Sequence, residues 1–204
     1  MIDIAFLITG FTTLFVVMDP IGLVPLFLAL TKGQSAQMRR KIALRACLIA
    51  ACLLMGFGLA GDAVLTFVGI SLPAFRIAGG ILLFLTALDM LFDRRRQRQN
   101  NAVELQNDPS IFPLATPLMA GPGAIASMIL LIGQGGNDMA ATGAVIGLML
   151  VVVTIAFALF NAASVLERAL GPIGTLVVTR LLGMLLAALA VQFVLDGLRG
   201  AGVF

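Results

Sequence analysis

The chain has 204 residues, of which 60% are apolar and only 11% charged, with a formal net charge of +3 and a mean hydropathy of +1.10. A soluble domain carries about a quarter of its residues as charges, so this balance excludes an ordinary water-soluble fold and implies an integral membrane protein. Histidine is absent, nothing resembles a zinc, iron or phosphate-loop motif, and the basic residues flank apolar runs. They therefore report membrane topology rather than an affinity for nucleic acid, and no cofactor or metal is expected.

Six apolar runs approach the roughly 20 residues that cross a bilayer core. The first, Ile4–Leu30, has Asp3 as its only early charge and is long enough to span, so cleavage as a signal peptide is not expected. It is interrupted by Met18-Asp19-Pro20-Ile21-Gly22-Leu23-Val24-Pro25. The second, Ile42–Leu59, contains Cys47 and Cys52, roughly 140° apart around a helix, which read as small buried hydrophobes. Within Gly61–Ser71, the apolar stretch Leu65–Gly69 is too short to span and reads as a re-entrant or interfacial piece. Leu72–Phe92 is the third span, and the polar stretch from Arg94 to Asp108 reads as a linker. Ile111–Ile132 carries a second interruption, Pro113-Leu114-Ala115-Thr116-Pro117 and Gly121-Pro122-Gly123; Ala141–Phe160 and Ile173–Leu195 complete the set.

The loops Lys32–Arg45, Arg94–Arg98 and Glu167–Arg168 fall on one side and hold all but three of the 13 basic residues. Positive-inside bias makes that side cytoplasmic and puts both termini outside. The two halves also resemble each other. Gly69-Ile70-Ser71-Leu72 with Arg76, Gly79 and Leu82 matches Ile173-Gly174-Thr175-Leu176 with Arg180, Gly183 and Leu186 at a constant offset, and Asp19-Pro20 matches Gly121-Pro122 at nearly the same one. The expected fold is an all-α polytopic membrane protein of six helices in two inverted three-helix repeats, 1–98 and 111–204, joined by a linker at 99–110. Inverted repeats with broken first helices are the pattern of secondary transporters, whose site lies at the repeat interface near mid-membrane.

A proline removes a backbone N–H and clashes with the preceding turn, so each break frees polar groups that must face protein or a water-filled cavity. Asp19 is placed to N-cap the second half-helix, with Pro20 at the first helical position. Gly121 occupies the matching cap and has no side chain to accept from the amides that follow. An uncapped helix start suits a carboxylate, and a buried carboxylate suits an ammonium group. Together Asp19, Pro20, Gly22, Pro25, Thr116, Pro117, Gly121, Pro122 and Gly123 outline a site for a small zwitterion. The plainer reading is that Asp19 caps a kinked helix and the glycines permit close packing.

Arg76 and Arg180 sit about a turn inside matching helices, where they pair with Asp19, gate the pathway, or snorkel to the nearer interface. Asp89 and Asp196 are expected at the interfaces, Asn161 and Gln192 in hydrogen bonds between helices, and Gly79-Gly80 and Gly183 as packing notches.

The motifs from Asp19 to Phe27, Pro113 to Pro117 with Gly121 to Ile125, Arg76-Ile77-Ala78-Gly79-Gly80-Ile81-Leu82-Leu83-Phe84, and Ala188-Leu189-Ala190-Val191-Gln192-Phe193 resemble the MarC family of bacterial inner-membrane proteins. The resemblance covers essentially the whole chain. It implies six spans, a place among LysE-type exporters and, for some members, transport of small neutral amino acids; it does not imply drug efflux.

The leading functional reading is a secondary transporter for amino acids such as glycine or alanine, with proton coupling through Asp19, the one acid clearly at mid-depth. Its partners would be the lipid bilayer, a small zwitterionic solute and protons. A non-transporting accessory or scaffold protein is the alternative. An intramembrane enzyme fits poorly, because no Ser/His, paired-acid or His/Glu metal constellation is present. The topology is open to cysteine labelling: in a background with Cys47 and Cys52 changed to alanine, Asn100→Cys should stay unreactive toward an impermeant reagent added outside intact cells. Labelling from outside would reverse the orientation.

Overall fold

The computed structural model describes residues 3–92, 109–136 and 138–203, and among these every regular element is helical. The linker and the Arg94–Arg98 loop fall outside the described residues. The elements are α1 (Ile4–Met18), α2 (Pro20–Leu30), α3 (Ala36–Val68), α4 (Leu72–Leu91), α5 (Ser110–Met119), α6 (Pro122–Gln134), α7 (Met139–Asn161) and α8 (Ala163–Gly200). By length and hydropathy five continuous stretches can cross a membrane, and the bent pair α5 and α6 makes a sixth. With that bent pair counted as one span, the described helices match the six expected spans.

Local chemistry sets the boundaries. Ser35, Ser71 and Asp138 each cap the helix that follows by accepting from a first-turn amide. Helix α3 runs without interruption to Val68, so Gly61–Ser71 is not a separate re-entrant piece: residues 62–68 continue the helix whose membrane-crossing stretch is Ala36–Gly61. It stops at Gly69, whose φ of +78° suits glycine, and Ile70 N–H donates back to Leu65 O at 2.9 Å. In α8 the backbone breaks at Gly171 with φ +62°, which separates a short first segment from the span Ile173–Gly200.

The two broken helices are clasped by helices of the opposite half. Helix α1 packs on α6 and α7, where the Cβ position of Gly10 lies 3.1 Å from Leu148 Cδ1. Helix α6 packs on α3, where Gly58 meets Met128 and Ile132 and Gly61 meets Ile129. Phe27 of α2 stacks on Phe160 of α7 with ring centroids 4.7 Å apart. Helices α4 and α8 lie along each other: a Cβ on Gly80 would fall 2.7 Å from Val194 Cγ2 and 2.8 Å from Ala190 O, and one on Gly183 would fall 3.1 Å from Met90 Cβ. Gly79 faces Leu130 of α6 instead. These glycines are the expected packing notches.

Outward faces are apolar. Phe67, Ile173 and Ile4 are 93%, 78% and 72% exposed, and Leu48, Phe84 and Val191 also point out of the bundle. A surface this rich in large hydrophobes has lipid, not water, as its solvent. Cys47 is buried as expected, but Cys52 is exposed on the outside of α3, because the angular separation that kept the thiols apart turned one of them toward lipid.

The notches can be tested by filling one. Gly80→Leu forces side-chain volume against the α8 backbone and should cost roughly 1–3 kcal/mol, read as a lower melting temperature in detergent. Gly147→Leu, whose Cβ position has no neighbour within 4 Å, should leave it unchanged. Equal behaviour of the two variants would mean that α4 and α8 do not touch at Gly80.

Candidate functional site

Asp19 joins α1 to α2 through a single residue. Its N–H donates to Phe15 O at 3.0 Å, its carbonyl accepts from Leu23 N at 3.1 Å, and Oδ1 accepts from Gly22 N at 3.0 Å. The backbone there is left-handed, with φ +48°, a conformation that aspartate adopts more readily than most residues. Both helical ladders are served, so α1 and α2 continue as one span, Ile4–Leu30. The Asp19 side chain is 2% exposed. A Cβ on Gly22 would collide with its carboxylate, which is why a glycine follows at that spacing. Pro20 takes the first helical position, and Pro25 lies inside α2.

The second break is built differently. Helix α5 is wound in wide turns, with Leu114 N–H bonded to Pro109 O and Ala120 N–H to Ala115 O, and extended backbone at Phe112 and Thr116 interrupts it. The Phe112–Pro113 and Thr116–Pro117 peptides are cis. After Gly121 the chain turns by 52° into α6, whose start has Pro122 and no side-chain cap. The first helical amides, those of Gly123 and Ala124, therefore begin α6 without an acceptor side chain, as the sequence suggested.

A cavity of about 340 Å³ lies against this second break. Its walls are Phe112, Pro113, Pro117 and Leu118 of α5, the turn Gly121-Pro122-Gly123-Ala124, Val17 of α1, and Leu82, Leu85, Thr86 and Asp89 of α4. The two breaks adjoin here: the Cβ position of Gly123 is 3.4 Å from Val17 Cγ1, and Val17 is two residues before Asp19. Of the expected site residues, Pro117, Gly121, Pro122 and Gly123 line the cavity, whereas Asp19, Pro20, Gly22, Pro25 and Thr116 do not. Neither Arg76 nor Arg180 lines it. Arg76 is half-buried in α4, with its Nε enclosed and lacking a hydrogen-bond partner, while Arg180 is exposed on α8.

Thr86 is not among the residues expected at the site, and Asp89, expected at an interface near the end of its span, lies two residues before the end of α4 and also lines the cavity. The signal was present: Leu82, Leu85, Thr86 and Asp89 follow the spacing i, i+3, i+4, i+7, which is one face of a helix. Thr86 Oγ1 donates to Leu82 O at 2.9 Å and so stays close to its own helix. Asn161 and Gln192 also differ from expectation. Each bonds within its own helix, to Phe157 O at 2.7 Å and to Asp196 Oδ1 at 2.9 Å, and both residues are exposed.

The turn at Gly121 is sterically tight, since a Cβ there would collide with Pro117 O. Gly121→Ala should push α5 away from α6 and lower stability by roughly 1–3 kcal/mol, measured as a melting shift. Gly143→Ala, which has open space around it, should be neutral or stabilising. An unshifted Gly121→Ala protein would show that the turn has slack.

A family model for MarC family integral membrane proteins matches residues 4–202. The chain is 37% identical to the UPF0056 membrane protein MJ1677 of Methanocaldococcus jannaschii, with 98% of each chain covered. It is 39% identical to a UPF0056 membrane protein of Archaeoglobus fulgidus, covering 96% of this chain and 93% of that one. It is also 34% identical to the UPF0056 inner membrane protein YhgN of Escherichia coli, covering 95% and 96%. No solved structure matches. The matched range includes both breaks and every span, and the chain belongs to the MarC family of integral membrane proteins.

Proposed function

We propose that this protein is a secondary transporter, working as an exporter or exchanger, for small neutral amino acids such as glycine or alanine. The observation that carries the reading is a cavity of about 340 Å³ opening on the uncapped start of α6 inside an apolar bundle. That volume is near the lower end of ligand pockets, about 300–1,000 Å³. The helix start attracts a carboxylate, and the adjoining break buries the Asp19 carboxylate, which serves the ammonium group or a coupling proton.

An inverted repeat fits the packing. Gly80 meets Val194 while Gly183 meets Met90, a pair of contacts within one residue of the offset of the repeated motif, although Gly79, the motif's own counterpart of Gly183, faces Leu130; the left-handed glycines Gly69 and Gly171 end α3 and the first segment of α8 at nearly that offset. Rocking one half against the other would then expose the junction alternately to the two sides. By the charge bias both termini lie outside, and the name of the YhgN relative supports an inner-membrane location.

One observation favours the accessory-protein reading: the Asp19 carboxylate already caps Gly22, a role that needs no solute. Transport assays separate the two. Liposomes containing the purified protein should take up labelled glycine or alanine, faster with a pH gradient, and Asp19→Asn should lose at least about tenfold, the equivalent of a charged hydrogen bond worth about 1.5–3 kcal/mol. Asparagine caps about as well as aspartate, so the variant should stay folded. Full uptake by Asp19→Asn would leave Asp19 as a cap alone, and failure of the wild type across an amino-acid panel would remove the transporter reading.

A further inference from the structure

A second cavity, of about 160 Å³, lies where α2, α3, α7 and α8 meet, at the end of the bundle that carries the basic turn before the second span. Its floor includes the stacked pair Phe27 and Phe160, and Thr31 fixes the end of α2 beside it by donating to Phe27 O at 2.7 Å. Its rim is polar and cationic: Arg39 and Arg40 from the first turns of α3, with Gln34 and Ser164. Arg39 is half-buried, and its Nε is enclosed with no hydrogen-bond partner among the described residues. Among the described residues lining the cavity there is no carboxylate.

An enclosed Nε–H without an acceptor leaves a buried donor unsatisfied, and Arg40, exposed on the same rim, adds a second positive charge beside it. One ligand answers both, a tetrahedral oxyanion that accepts from the fork of Arg39 and neutralises Arg40. The apolar floor beneath the cationic rim matches an amphiphile at the boundary between hydrocarbon and headgroups, where basic clusters meet anionic lipid. The opposite end of the bundle shows that the fold itself does not demand such a cluster: α7 begins Met139-Ala140-Ala141 behind Asp138, with no basic residue.

We infer that this cavity binds a phosphate group, and that the group is supplied by an anionic phospholipid. The site is separate from the solute cavity, so the inference stands whether or not the protein transports amino acids.

The test uses the full chain in detergent, titrated with phosphatidylglycerol, phosphatidylcholine or inorganic phosphate, with occupancy followed by native mass spectrometry. Phosphatidylglycerol should bind, phosphatidylcholine should bind more weakly, and Arg39→Gln should weaken phosphatidylglycerol binding about tenfold. Arg40→Gln should weaken it in the same direction and carries the test if Arg39→Gln fails to fold. Lys41→Gln, exposed and outside the cavity, should leave binding unchanged. Inorganic phosphate that binds alone and competes with the lipid would keep the phosphate site but assign it to the free ion. Equal binding of phosphatidylcholine, equal loss in Lys41→Gln, or no loss in either arginine variant would overturn the proposal.

Discussion

Inside a bilayer every backbone N–H and C=O needs a partner, because hydrocarbon offers none, and this protein breaks two of its spanning helices nonetheless. The break at Asp19 meets the requirement within one residue: main-chain groups continue both ladders, and the carboxylate takes the amide of Gly22. The break at Gly121 does not. Its backbone turns sharply, wide turns precede it, and the new helix begins with amides that no side chain caps. A cavity lies at the second break, bordered by one residue of α1.

The rest of the packing serves that asymmetry. Each broken helix is held by helices of the opposite half, and α4 lies close along α8 because Gly80, Gly183 and Gly197 remove the side chains that would keep the backbones apart. Without a hydrophobic force between helices in lipid, such close approach is the main source of cohesion. It also leaves the wall of the cavity, Leu82 to Asp89, on a helix whose other face is tied to α8.

Charge is sorted along the bundle rather than across it. Arginines gather where α3 begins, beside the stacked Phe27 and Phe160, whereas the cavity at the second break is lined by an aspartate, a threonine, apolar residues and a helix start. The two cavities therefore differ in chemistry as well as place. One presents arginines at the edge of the apolar core, with no carboxylate among the described residues that line it; the other presents amides and a carboxylate.

The sequence by itself determined the membrane class, the six spans, both breaks, the capping role of Asp19 and the notches at Gly79-Gly80 and Gly183, because each follows from local composition, proline chemistry or spacing along one helix. It did not reach the continuation of α3 past Gly61, since a short apolar tail looks the same whether it extends a helix or re-enters the membrane. Nor did it place the cavity. The nine residues proposed around the breaks were equivalent in the sequence, but of these only Pro117, Gly121, Pro122 and Gly123 line the open space, in company with Val17, Thr86 and Asp89. Which side chains share a cavity depends on the 52° turn between α5 and α6 and on the face that α4 presents to it, and both are set by contacts between residues far apart in the chain.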